Sequence, residues 1–250
     1  MPTPEDPYTR RANTFSQHLV TIADSRASRA SLALDVEGFE LHDTPSAVRD
    51  FLDDDEVRSI YYGEPEHLLK RATGASAVHI FDHTVRIEDP SERGLARRRE
   101  PVPYVYNDYT DLSDSQRLDG LLTPECAAYW ARHRFAIVNV WRSIDAPVQT
   151  TPLAFADARS LERKNLLETD LVYSDRVGEI YQVSYNPNQR GHYFSDVRRD
   201  EAVLLKVYDL ALDGRARLTA LAAFSNPKAV ANASPRNSIE VRALLSFAPH

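Results

Sequence analysis

Apolar and polar positions alternate in short stretches along this chain, most regularly in its second half. Alternation over residues 31–41 and 75–87 predicts two strands. From residue 135 onward it predicts strands over Phe135 to Arg142, Ile180 to Tyr185, Ala202 to Tyr208, Arg217 to Phe224 and Ser238 to Phe247. Pro45 to Lys70 has helical spacing instead, interrupted at Gly63 and Pro65. Ser113 and Gln116 form a capping box ahead of Leu118, Leu121 and Leu122, and Thr123-Pro124 opens a second helix with proline at its first position. Short strands separated by turn residues suit a sandwich or small barrel. The expected fold class is mainly β with flanking helices, one domain over residues 1–250, in which residues 1–74 form an N-terminal flank packed on the β core.

The 250 residues are 42% hydrophobic, enough for a substantial core. A net charge of -7 argues against a general nucleic-acid binder, which needs a basic face for phosphates. The one basic cluster, Arg93, Arg97, Arg98 and Arg99, is flanked by Glu92 and Glu100 and reads as a solvated loop, with admission of an anionic substrate as the alternative. No apolar run approaches the ~20 residues that span a bilayer, and the N-terminus lacks a signal-peptide core, so a cytoplasmic protein is expected. The single cysteine, Cys126, excludes an intrachain disulfide and reads as a small buried apolar residue on a helix.

Candidate chemistry concentrates near the C-terminus. Arg236 and Ser238, two apart on a predicted strand, face one side, where a guanidinium fork and a hydroxyl can hold a carboxylate. Arg242 competes for that role, and Glu240 is an alternative partner for Arg236. Trp141 and Arg142 point to opposite faces, so only one of them lines a given pocket. Lys206, among apolar neighbours, reads as a buried cation paired with Asp209 or Asp157, or as a pocket residue. Tyr181 and Tyr185 read as aromatic core. His79 and His83, four apart on a predicted strand, share a face and with Asp108 form the one histidine set worth testing as a relocated metal site.

Several segments together resemble the hydroxylase/desaturase family that includes AsaB and CmcJ: Val78 to Arg86, Ile137 to Arg142, Thr151 to Asp157, Asp200 to Asp209 and Arg236 to Arg242. The resemblance implies a double-stranded β-helix of jelly-roll or cupin type, and an iron(II) and 2-oxoglutarate oxygenase, or a relative of one, that tailors small natural products. In that family a His-x-Asp pair and a later His in a His-Thr-Ala-Phe-like segment hold the metal. These map onto Tyr106, Asp108 and Leu221, so the resemblance implies that two of three ligands are replaced. It also implies that Arg236 and Ser238, 15 positions beyond Leu221, take the far carboxylate of 2-oxoglutarate.

A phenol with a pKa near ~10 is a poor iron(II) ligand and a leucine cannot ligate at all. The reading that follows is a natural-product tailoring enzyme with no metal and no cofactor, an isomerase, cyclase or lyase. Asp108 is its acid/base, with a pKa raised if its surroundings are apolar, and Tyr106 is its hydrogen-bonding partner. Space filling by Tyr106, with its hydroxyl bonded to Asp108, is the structural alternative. Arg236, Ser238 and Arg242 are candidate carboxylate anchors; Trp141, Arg142, Lys206 and Leu221 are pocket candidates. Two alternatives stay open: an oxygenase using Fe(II) and 2-oxoglutarate through an unusual ligand set, and a non-catalytic partner protein of the same pathway.

Overall fold

The computed structural model describes residues 15–93, 98–111, 130, 133–172 and 177–248. Its strands are β1 (Ile22–Asp24), β2 (Phe39–Asp43), β3 (Ala77–Ile87), β4 (Tyr106–Asn107), β5 (Phe135–Ser143), β6 (Leu153–Ala156), β7 (Leu166–Val172), β8 (Val177–Val183), β9 (Gly191–Tyr193), β10 (Glu201–Asp209), β11 (Leu221–Ala223) and β12 (Asn237–Ser246). They form a five-stranded sheet, β2-β10-β5-β12-β3, and a seven-stranded sheet, β1-β9-β6-β11-β4-β8-β7. The first is antiparallel throughout, and the second departs from this only where β1 runs parallel to β9.

The core has two layers. Phe39, Ile137, Trp141, Leu205 and Leu244 from the five-stranded sheet meet Tyr106, Phe155, Ile180 and Leu221 from the other. On the opposite face of the five-stranded sheet, Val138, Val140, Leu204, Ile239 and Val241 pack on Tyr61, Leu68 and Leu69 from the helical segment. The central strands β5, β10 and β12 are therefore covered on both faces, which explains their nearly continuous apolar sequence. That double burial also makes any polar residue on them conspicuous.

The helical segment begins after Asp53, whose carboxylate accepts from the Asp55 and Glu56 backbone N–H groups. Gly63 and Pro65 do not break it; they open the helix Gly63–Thr73, where a missing proline N–H costs nothing. Gly74 ends that helix in the left-handed region at φ 71°. The strand expected over 31–41 is confined to its end, entered through Gly38 at φ 91°, where an added Cβ would sit 3.1 Å from Thr219 Cβ. The strand expected over 217–224 shortens to Leu221–Ala223, because the Thr219 N–H bonds the Lys206 carbonyl of the other sheet. Nor is the N-terminal flank merely packed on the core, since β1 and β2 are members of the two sheets. The helices expected near Ser113 and Thr123, and Cys126, lie outside the described residues. No helix among the described residues is long and apolar enough to cross a membrane.

Asp157, following β6, is buried between Arg159 (2.8 Å) and Arg190 (2.9 Å). Although burial opposes its charge, hydrogen bonds from both arginines hold its pKa down at about 2. A folded-state value below the unfolded one stabilises the fold above the unfolded pKa, and this contribution is lost as pH falls through about 2. With both arginines half exposed, about 1–2 kcal/mol is expected. Asp157→Asn should lower the melting temperature at neutral pH and flatten its fall between about pH 4 and about pH 2, read by thermal denaturation across pH.

Candidate active site

The alternate residues Ser238, Glu240 and Arg242 of β12 point between the two sheets. Register places Arg86, Thr84 and Asp82 of β3 beside them on one side, and Ser143, Trp141 and Asn139 of β5 on the other. Facing residues of paired strands share a face, so these nine side chains line one wall of the barrel. Across the interior, Tyr106 of β4 pairs in register with Leu221 of β11, and both are buried.

β4 is only two residues long for a local reason. Asn107 is fully buried; its Nδ2 donates to the Thr219 carbonyl (2.7 Å) and its Oδ1 accepts from the Tyr109 N–H (3.0 Å). This side-chain turn ends the ladder and swings Asp108 toward β5 and β12. Oδ2 of Asp108 accepts from Asn139 Nδ2 (2.7 Å) and from Arg242 Nε (3.2 Å). The surroundings of Asp108 are therefore polar rather than the apolar pocket assumed from sequence. The Tyr106 hydroxyl meets Arg86 instead, whose Nη2 donates to it at 3.4 Å.

Arg236 and Ser238 are joined directly, Nε donating to Oγ at 3.1 Å, while Nη1 donates to the Thr151 carbonyl at 2.9 Å. The guanidinium lies over the Trp141 ring, 5.1 Å from its centroid. It is 2% exposed and makes no ion pair among the described residues, Glu240 included. Burial, with Arg86 nearby, pulls its pKa down to about 9, which still leaves it a cation at neutral pH. Around it, buried Trp141 Nε1 and Thr151 Oγ1 have no hydrogen-bond partner among the described residues, nor does Asn139 Oδ1 nearer Asp108. Such groups are costly to leave unmet, and a carboxylate ligand would satisfy the cation and the indole N–H together.

Arg242, the rival anchor, is already committed. It contacts Asp108, Glu240 (3.0 Å), Thr84 (3.0 Å) and Asp82 (3.4 Å). Two pocket candidates lie elsewhere. Arg142 points to the far face of β5, its guanidinium 5.0 Å from the Tyr61 ring centroid, as strand alternation demands once Trp141 faces inward. Lys206 is buried outside the barrel wall and paired with Asp209 (3.0 Å) and Asp35. Trp141 and Leu221 do face the interior. Of the basic loop, Arg93 pairs with Glu100 at 2.8 Å and Arg98 donates to the Glu92 carbonyl, while Arg97 lies outside the described residues.

His79 and His83 do not share a face. A register shift opposite Arg242 and Ala243 leaves Phe81 as an extra residue and reverses the alternation between them. His83 instead bonds Tyr62 (2.9 Å) and Asp54 (3.1 Å) on the helical side. Among the described residues, no group of three or more His, Cys, Asp and Glu side chains could hold a metal ion. Sequence reasoning also missed Glu240, Asn139, Thr84 and Arg86 as site residues. For Glu240 and Asn139 the signal was present, since each is a polar residue at an inward position of a largely apolar strand.

A family profile described as "Oxidoreductase/YMDC permease-like domain" matches residues 2–246. The hydroxylase/desaturase efuI of Hormonema carpetanum is 31% identical, over 92% of this chain and 84% of its own. The Fe(II)/2-oxoglutarate-dependent dioxygenase nvfI of Aspergillus novofumigatus is likewise 31% identical, over 97% and 88%. The solved structure of the iron and alpha-ketoglutarate-dependent endoperoxidase NvfI superposes with a TM-score of 0.89 at 28% identity, covering 100% of this chain and 92% of that one. The fold is thus the double-stranded β-helix expected. The expectation of no cofactor is overturned, since the similar nvfI dioxygenase and the NvfI endoperoxidase depend on iron and 2-oxoglutarate. The donors here fit one of the two: Arg236, Ser238 and Trp141 suit a 2-oxoglutarate carboxylate. Around Asp108 they do not fit iron, because a phenol and a leucine lie opposite and Oδ2 is held by Asn139 and Arg242.

Proposed function

Because this chain belongs to the oxidoreductase-like family of the hydroxylase/desaturases and 2-oxoglutarate oxygenases, we propose that it is a tailoring enzyme for small natural products. In this reading Arg236 and Ser238 hold a carboxylate, of 2-oxoglutarate or of the substrate itself, and Asp108 and Tyr106 move protons. The observation that carries it is the buried guanidinium of Arg236 inside the barrel, which makes no ion pair among the described residues.

With Oδ2 fixed by Asn139 and Arg242, Oδ1 of Asp108 is the atom that takes a proton from substrate carbon. The Tyr106 hydroxyl, polarised by Arg86, donates to the oxygen on which charge develops. Proton removal at one atom and hydrogen bonding at another support isomerisation, cyclisation or elimination; Leu221 and Trp141 exclude water from the reacting atoms. Tyr106→Phe keeps the ring and removes the donor. It should lower kcat about 10- to 100-fold with little change in KM, measured by steady-state kinetics.

The second reading, oxidation with iron and 2-oxoglutarate, is favoured by the likeness to the NvfI endoperoxidase. Anaerobic titration with Fe(II) and 2-oxoglutarate separates the two. Saturable 2-oxoglutarate uptake without a metal-to-ligand charge-transfer band supports the first, and a stoichiometric band establishes the second.

A further inference from the structure

Beyond the anchor and the proton-transfer pair, the interior holds a second carboxyl that the reading above does not use. Glu240 is 2% exposed and lies on the inner face of β12 between Ser238 and Arg242, flanked by the neutral Trp141 and Thr84. Its Oε1 accepts from Arg242 Nη2 at 3.0 Å, while Arg242 Nε donates to Asp108 at 3.2 Å. One guanidinium thus bridges two carboxyls. We infer that Glu240 is a positioning residue that acts through Arg242: its Oε1 fixes the guanidinium whose Nε holds Asp108. The inference rests on Asp108 being the base of the site.

Two like charges sharing one cation in a buried site repel each other, which favours the neutral form of the more deeply buried one. The charged groups facing Glu240 are Arg242 and Arg236 on its own strand, Arg86 on β3 and Asp108 beyond β4. Burial pushes its pKa up, and Asp108 adds to that push against the three arginines. A protonated Glu240 still accepts from Arg242 through its carbonyl oxygen, so nothing in the bridge is lost.

Glutamine matches a neutral glutamic acid in shape and retains the accepting oxygen, whereas alanine removes it. Carboxyl carbon resonances of the 13C-Glu-labelled protein, with the Glu240 signal assigned by its loss in Glu240→Gln, should show Glu240 losing its proton at higher pH than the exposed glutamates. The Arg242 Nε–H should exchange slowly in the parent and in Glu240→Gln, and at least about tenfold faster in Glu240→Ala. Equal exchange in the two variants would overturn the inference, as would a Glu240 that titrates together with the exposed glutamates. Neither readout requires turnover. Failure of Asp108 as base, tested separately by kinetics, is therefore distinguishable from failure of this bridge.

Discussion

Arg236→Met should weaken binding of the anchored carboxylate by about 100-fold or more, while the melting temperature of the unliganded protein stays level or rises. The first half follows from removing a charge-assisted, two-pronged hydrogen-bond donor from a desolvated site, where such losses cost about 2–5 kcal/mol. The second half follows from what Arg236 does without a ligand. It is a buried cation with no ion-pair partner among the described residues, its pKa drawn down to about 9 by burial and by Arg86. Replacing such a charge with an apolar chain of similar length relieves a desolvation cost. Function and stability thus pull in opposite directions at this residue, as they do where a site is organised for a ligand. Calorimetric titration of 2-oxoglutarate, together with thermal melts of both proteins, checks it. A marked loss of stability with unchanged affinity would make Arg236 a scaffold residue.

Asp108→Asn should lower kcat at least about 100-fold with a much smaller change in KM, because the amide preserves shape but cannot accept a proton at Oδ1. Asparagine also leaves Arg242 facing a neutral partner, with Glu240 the other acid in the bridge. The kinetic readout decides. Undiminished turnover would remove Asp108 from the chemistry.

How much of this was legible in sequence depended on burial pattern. The strands β5, β10 and β12 were readable because double burial makes them apolar over many residues, and the edge strand β3 because its apolar positions recur along 11 residues. β1, β6, β7 and β9 are shorter or mixed in composition, and their register comes from distant partners; β1, for example, is held by β9, some 170 residues away. The pairing of Arg236 with Ser238 was legible from spacing alone. What decided between Arg236 and Arg242 was not, because the acids that occupy Arg242 arrive from three different segments. The bulge at Phe81 defeated the histidine pattern: one inserted residue reverses every inference from even spacing. Asn107 escaped notice for the opposite reason. Its role is to end a strand, and that shows only once Thr219 is brought beside it.

The central claim is that this barrel moves protons on a substrate whose carboxylate, or that of 2-oxoglutarate, rests on Arg236. The most direct measurement is turnover of small molecules from the chain's biosynthetic neighbourhood, with Fe(II) and 2-oxoglutarate present, following product mass and succinate together. The account predicts a product of unchanged mass, or one lighter by an eliminated fragment, with no succinate released. Succinate formed in step with an oxidised product would contradict it and establish the oxygenase.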